Sequence, residues 1–320
     1  MTEAFTRIDN PRLASIDAIG DGLATVGYIS TEQISTAVYV AHNLIKPILV
    51  EGPAGVGKTD LAQSTAAMLG LPLVRLQCYE GLDESKALYE WKYGKQLLYT
   101  QILKEKLSDI LTDAEGLDAS LQRLHSFDDI FFSEEFLEPR PLLRALRETY
   151  GAVLLIDEID KSDEEFEAFL LEVLSEFQVT VPELGTVRAT VPPLVFLTSN
   201  NTREMGDALK RRCLHLHISF PDSKREQRIV EARVPGVSGR LMTQLVSFVQ
   251  QLREEDLKKL PSISETVDWA KVMVLMHADK LDPTIVRKTL NVLLKFEADI
   301  ESVDLKISEL SRKARKDAGL

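Results

Sequence analysis

Apolar residues along this chain keep two different rhythms. Short, largely apolar runs recur through the first two thirds, at 45–50, 73–77, 153–156, 194–198 and 214–220. Runs of four to seven such residues, bounded by Gly, Pro, Asn or Asp, mark strands buried on both faces, as in a parallel sheet. Between them the spacing becomes helical. Ile34, Val38 and Ala41 share one face, and Phe166, Phe169, Leu170, Val173, Leu174 and Phe177 share another. Ser30 with Gln33, and Ser162 with Glu165, stand where capping boxes open these two helices. A helix over 59–69 is ended by Gly70 and Pro72. The pattern at 179–182 and 187–191, around Glu183-Leu184-Gly185-Thr186, predicts a hairpin.

Strand, glycine-rich loop, helix and strand in series open a parallel α/β sheet. The stretch at about 83–137 breaks the alternation. Tyr89, Trp91 and Tyr93 alternate, a charged helical segment runs from Leu97 to about Thr112, and polar residues dominate to Phe131. It reads as an insertion on the scaffold. The aromatic trio either packs it onto the core or grips a protein partner. After Pro221-Asp222 only helical patterns remain, from Ser223, Ser238, Thr266 and Pro283, the last reaching about Lys313. The basic residues Arg312, Lys313, Arg315 and Lys316 read as a solvated end. Two parts result: an α/β core over 1–221 and a small all-α part over 222–320.

Composition narrows the partners. The 320 residues are 44% hydrophobic and 28% charged, which suits a packed globular chain. A net charge of −12 repels phosphate backbones, so nucleic acid is not an expected partner. Cys78 and Cys213 are too few for a disulfide framework, which points to a reducing cytoplasm. No apolar run reaches the roughly 18 residues of a membrane helix, and residues 1–10 lack the pattern of a signal peptide.

The chemistry concentrates in three strand ends. Gly52-Pro53-Ala54-Gly55-Val56-Gly57-Lys58-Thr59 matches G-x-x-x-x-G-K-[ST] in full, and Asp60 follows it. Glycines let successive amides turn inward to phosphate oxygens, Lys58 adds a point charge, and Thr59 offers a hydroxyl to Mg²⁺. The helix behind the loop aims its positive end at the same anion. Asp157 and Glu158 end a buried strand. There Asp157 would hold the Mg²⁺ shell and Glu158 would polarise water for in-line attack on ATP. Asp160, Asp163 and Glu164 read as helix-start charge. Asn200 ends the next buried strand, where its amide could bridge the γ-phosphate and the attacking water; a turn-forming Asn pair is the other reading. Arg211 and Arg212 are either a basic helix end or an arginine finger. Cys213, His215 and His217 alternate on one strand face. About 7 Å between alternate residues is too far for three ligands of one ion, so a partly covered sheet face is the favoured reading.

In this order GPAGVGKT, LLIDEID, FQVTVPELGTVRATVPP, VFLTSNN and DALKRRC resemble the AAA+ ATPases, and within them the MoxR family. The resemblance covers about residues 30–280. KALYEWKYGKQLL is similar to the MoxR group that accompanies carbon monoxide dehydrogenase maturation. The resemblance implies an α/β P-loop NTPase AAA+ core, its parallel sheet flanked by helices, with a small all-α C-terminal lid and ATP and Mg²⁺ between the two. It implies a ring of protomers, usually a hexamer, with Arg212 or Arg211 reaching the neighbour's γ-phosphate. It implies a von Willebrand factor A domain protein and a client enzyme as partners, remodelled or activated at the expense of ATP. The family's lid arginine is missing, since the matching region reads Ser262-Ile-Ser-Glu265. Tyr28 or Ile29 is the candidate contact for adenine. A nucleotide-gated scaffold with marginal hydrolysis is the alternative, and a nucleic-acid motor is disfavoured by the charge.

Overall fold

The computed structural model describes residues 5–111, 133–182 and 184–318. Five strands form one parallel sheet. They are β1 (Ile48–Glu51), β2 (Leu73–Gln77), β5 (Val153–Asp157), β8 (Leu194–Ser199) and β9 (Leu214–His217), in the order β2-β5-β8-β1-β9. Successive side chains leave a strand on opposite faces. Leu49, Leu154, Ile156, Val195 and Leu197 accordingly enter one core. Ile48, Val50, Val153, Leu155, Leu194 and Phe196 enter a second core on the other side. This double burial is why β1, β5 and β8 read as continuous apolar runs; β2 and β9, at the sheet's edges, bury one face and expose the other, contrary to the expectation for 73–77 and 214–220.

Helices cover both faces. The second core is closed by α1 (Ile16–Thr25), α2 (Glu32–Leu44) and α3 (Lys58–Leu69). The first is closed by α6 (Pro141–Arg147) and α7 (Glu164–Glu176), with β6 (Gln178–Val181) and β7 (Gly185–Arg188) as an antiparallel hairpin beside them. Two caps differ from the sequence reading. Thr31, not Ser30, caps α2, and the Ser30 hydroxyl pairs with Ser35 instead. Asp163, not Ser162, caps α7, because the Ser162 hydroxyl is spent on the Ile159 carbonyl. The hairpin is tighter than expected, with Gly185 and Thr186 already in β7. Glu183 lies outside the described residues.

The insertion contains α4 (Glu84–Ala87), β3 (Tyr89–Trp91), α5 (Tyr93–Leu111) and β4 (Leu137–Pro139), with β3 and β4 antiparallel. Trp91 is buried in the first core and Tyr89 packs against it edge-on, 5.9 Å between rings. Tyr93 is 67% exposed, so packing accounts for two of the three aromatics only. Thr112 and the polar stretch to Phe131 lie outside the described residues.

After α8 (Asp207–Arg212) and β9 the described residues form helices only: α9 (Ser223–Arg233), α10 (Gly239–Leu252), α11 (Ile263–Leu275), α12 (Pro283–Leu293), α13 (Glu297–Asp304) and α14 (Ile307–Asp317). Helices α9–α14 enclose a third core around fully buried Trp269, whose indole donates to Thr289 Oγ1 at 2.9 Å. Arg312, Lys313 and Lys316 are exposed, as a solvated end requires, but the helix that carries them is packed. Leu310, Ser311 and Ala314 of α14 are buried, and Asp317 accepts from the Ser247 hydroxyl at 2.7 Å. Beneath α11, Glu226 is fully buried and takes both Nη groups of Arg253 at 2.7 Å. Removing one partner strands the other charge in the interior. The Glu226→Ala protein is expected to lose about 3–5 kcal/mol of helical-region stability, read from Trp269 fluorescence in a urea titration.

Candidate functional site

The carboxyl ends of β1, β5 and β8 meet at one edge of the sheet, where open parallel sheets bind their ligands. The loop after β1 carries the phosphate motif. Gly52 has φ +148°, and a Cβ there would stand 2.0 Å from the Ile218 carbonyl oxygen. Gly55 has φ +74°, and a Cβ there would stand 2.4 Å from Ser262 Oγ. Neither position admits a side chain, so the bend needs glycine. The loop feeds α3, whose first residues are Lys58 and Thr59.

Lys58 is 5% exposed, and its ammonium has three acceptors: Gly52 O at 2.7 Å, Pro53 O at 2.8 Å and Asn200 Oδ1 at 2.8 Å. Burial pulls its pKa down, against the raising effect of Asp160, Asp157 and Glu158. The Thr59 hydroxyl donates to Asp157 Oδ1 at 2.9 Å, though the two residues are 98 positions apart. Asp157 is buried and also accepts from the Thr198 hydroxyl at 2.5 Å and from Arg75 at 2.5 Å. Glu158 follows with φ +58°, a left-handed conformation that costs a non-glycine residue of order 1–3 kcal/mol. Its amide donates to Thr198 Oγ1 at 2.9 Å. Its carboxylate takes Gln77 Nε2 at 2.9 Å, Lys161 Nζ at 2.6 Å and Asn200 Nδ2 at 3.4 Å.

Lys58, Thr59, Asp157, Glu158 and Asn200 thus converge. Asn200 bridges them, accepting from Lys58 and donating to Glu158. Asp160 is not mere helix-start charge. It is 3% exposed, and its Oδ2 accepts from the amides of Asn200 and Thr202 and from the Thr202 hydroxyl. Burial pushes its pKa up, but those bonds outweigh it and leave the carboxyl below its ordinary value. Asp160 therefore anchors the turn that presents Asn200.

Other expected residues sit elsewhere. Asp60 leaves the cradle for an ion pair with Arg233 of α9 at 2.6 Å. Arg211 and Arg212 end α8 and make no bond to the converging residues. Arg212 donates to Leu171 O at 2.6 Å and to Ser175 Oγ, on the last turns of α7. Arg211 is exposed and has no hydrogen-bond partner among the described residues. Cys213 lies before β9 as the cap of α8, and burial lifts its thiol to about 12. His215 Nε2 stands 2.6 Å from Glu51 Oε2.

Hard oxygen donors at Thr59 and Asp157, beside a glycine-built bend that leads into the N-terminus of α3, suit Mg²⁺ and a polyphosphate. A cleft of about 440 Å³ opens beside the loop, lined by Gly55, Gly57, Asp60, Arg233, Ile263 and Lys271, among others. The capping box of Ser262 and Glu265 starts α11 against Gly55, four residues before the sequence reading placed that helix. No helix among the described residues is long and apolar enough to cross a membrane.

The chain is similar to several known proteins. An uncharacterized protein of Staphylococcus aureus strain USA300 is 27% identical over 252 residues, covering 74% of this chain and 83% of its own length. Among solved structures, a RuvB variant of Thermotoga maritima aligns with 89% of this chain and 74% of its own, at TM-score 0.47 and 18% identity. The RuvB Holliday junction branch migration motor of the same organism aligns with 87% and 72%, at TM-score 0.44 and 17% identity. Residues 47–213, from the first strand to the end of α8, match the family model of the AAA domain, dynein-related subfamily. That match takes in the phosphate loop and the converging strand ends and spans more than half of the chain, which belongs to the AAA domain family and carries its P-loop AAA+ fold.

Proposed function

We infer that this protein is a Mg²⁺-dependent ATPase of the MoxR type, which assembles as a ring and uses hydrolysis to remodel or activate a partner protein. One observation carries the ATPase part: Thr59 and Asp157 share a hydrogen bond while Asn200 joins Lys58 to Glu158. Phosphoryl transfer needs charge neutralisation and an oriented nucleophile, and these five side chains supply the means.

Thr59 and Asp157 would hold the metal, which supplies Lewis-acid neutralisation of the phosphate oxygens when bound. Lys58 exchanges its carbonyl partners for phosphate. Asn200 and Glu158 orient water, and Glu158 accepts its proton. Nucleotide lies in the cleft between core and helical lid. The base faces the pocket of Gly27, Tyr28, Ile29 and Val56, beside Gly57. Arg233 and Lys271 are the lid's basic groups at that cleft, where the family's arginine is missing. The ring, a von Willebrand factor A domain partner and a client enzyme rest on the resemblance to MoxR proteins.

The scaffold alternative has one observation in its favour. Both oxygens of Glu158 are occupied, by Gln77, Lys161 and Asn200, so hydrolysis must first free the base. Phosphate release from Mg²⁺·ATP, followed against protein concentration and with the co-purified partner, decides between them. Turnover that rises with concentration supports the ring ATPase; release at background throughout supports the scaffold. Lys58→Met is expected to weaken ATP binding about 10- to 150-fold, the worth of a hydrogen bond to a charged group, as measured by calorimetry. Equal affinity in the two proteins would remove Lys58 from the cradle.

A further inference from the structure

Both carboxylate oxygens of Asp157 accept hydrogen bonds from side chains. Its Oδ1 receives the Thr59 and Thr198 hydroxyls, at 2.9 and 2.5 Å. Its Oδ2 receives Arg75 Nη2 at 2.5 Å. The same nitrogen donates to Gln77 Oε1 at 2.6 Å, and Gln77 Nε2 donates to Glu158 Oε2 at 2.9 Å. A continuous line of hydrogen bonds therefore runs from Asp157 through Arg75 and Gln77 to Glu158. The sheet builds it. Arg75 and Gln77 are two apart on β2, hence on one face, and β2 lies beside β5 with Gln77 opposite Asp157.

The two ends of the Arg75–Asp157 pair are unequal. The Asp157 side chain is 4% exposed and the Arg75 side chain 48%. A buried carboxylate without a counter-charge is costly, so Asp157 needs a cation in any state of the site. A divalent ion and a guanidinium both meet that need, and they compete for the same carboxylate. Lys58 is not that cation, since its ammonium bonds to Gly52 O, Pro53 O and Asn200 Oδ1 and not to Asp157. Arg75 can yield to the metal, because its head swings into water while its stem stays on the sheet.

We propose that Arg75 is the resident counter-cation of the magnesium carboxylate, a positioning residue that the arriving metal displaces and whose departure loosens Gln77 from Glu158. This rests on the Mg²⁺·ATP reading of the site and adds to it. A lone divalent ion must outcompete a tethered guanidinium and gains little. Metal arriving with a polyphosphate brings extra ligands and wins. The base is thereby kept engaged until metal and nucleotide are both present.

The test uses Mn²⁺ alone as the probe, with the nucleotide-free full chain, read by the loss of free-Mn²⁺ paramagnetic resonance signal. Arg75→Met is expected to bind Mn²⁺ about tenfold more tightly than wild type, the low end for removing an opposite charge from a half-exposed site. Arg75→Lys, which keeps a cation, is expected to stay near wild type. The gained affinity is expected to vanish in Arg75→Met combined with Asp157→Asn. An Asp157-dependent Mn²⁺ site of equal affinity in wild type and Arg75→Met would overturn the counter-cation role and leave the metal reading standing. A site indifferent to Asp157→Asn in every variant, with ADP as well as without, would overturn both.

Discussion

The Glu158→Gln protein binds ATP as tightly as wild type and hydrolyses it about 10²- to 10⁴-fold more slowly, the usual worth of a general base. The reasoning starts from position. Glu158 lies beyond the end of β5 in a left-handed conformation, pinned by Thr198 through its amide and by Lys161 N through its carbonyl. Those backbone bonds do not depend on the side chain, so glutamine keeps the turn. Nor does Glu158 bond directly to the loop or to Lys58, which carry phosphate affinity, so binding persists. What glutamine cannot do is take a proton from water. Single-turnover phosphate release, with nucleotide affinity measured on the same preparation, separates the two effects. Undiminished release would remove Glu158 from the chemistry.

The arginine pair carries the largest expected effect, about 10³–10⁵ in rate for a finger supplied by a neighbour. The geometry distinguishes its two members. Arg212 is committed within its own protomer, where it satisfies the Leu171 carbonyl near the end of α7. Arg211 is exposed beside it and uncommitted among the described residues. Arg211→Ala is therefore expected to abolish turnover without loss of stability. Arg212→Ala is expected to loosen α7 against α8 and to lower the unfolding midpoint as well. Neither touches the protomer's own cradle, so ADP affinity stays at the wild-type value in both. Mixing supplies the check. Arg211→Ala subunits have a sound cradle and no finger, and Lys58→Met subunits have the reverse. If the finger acts between protomers, the mixture regains activity that neither variant has. A mixture as inactive as its components would exclude this assignment.

Much of the site was legible because the motif's own backbone dictates it. Seven residues from Gly52 to Lys58 can bend back on themselves in few ways, and a strand ending in two carboxylates beside them leaves little freedom. Asp157 and Thr59 consequently meet as the spacing implied. What stayed hidden comes from sheet topology. The run at 73–77 reads only as a strand, with no role for Arg75 or Gln77, and the pairing of β2 with β5 is what turns them toward the two carboxylates. Asp160 was hidden by its neighbours, since one acidic residue in a run of five looks like the next until burial picks it out. The caps failed for a related reason. Ser30 and Thr31, or Ser162 and Asp163, are adjacent good caps, and a competing local bond of the loser decides between them. At α11 the signal was present, as Ser262 three residues before Glu265, but it marked a helix start where an arginine was being sought.

The central claim is that Mg²⁺ and the triphosphate sit between the bend before Lys58 and the Asp157 carboxylate. A crystal structure of the Glu158→Gln protein with ATP and Mg²⁺ tests it most directly. The account predicts a metal about 2.0–2.1 Å from Thr59 Oγ1, bridging two phosphates, with Lys58 turned from the Gly52 and Pro53 carbonyls to phosphate oxygen. Nucleotide bound elsewhere, or a metal remote from both Thr59 and Asp157, would contradict it.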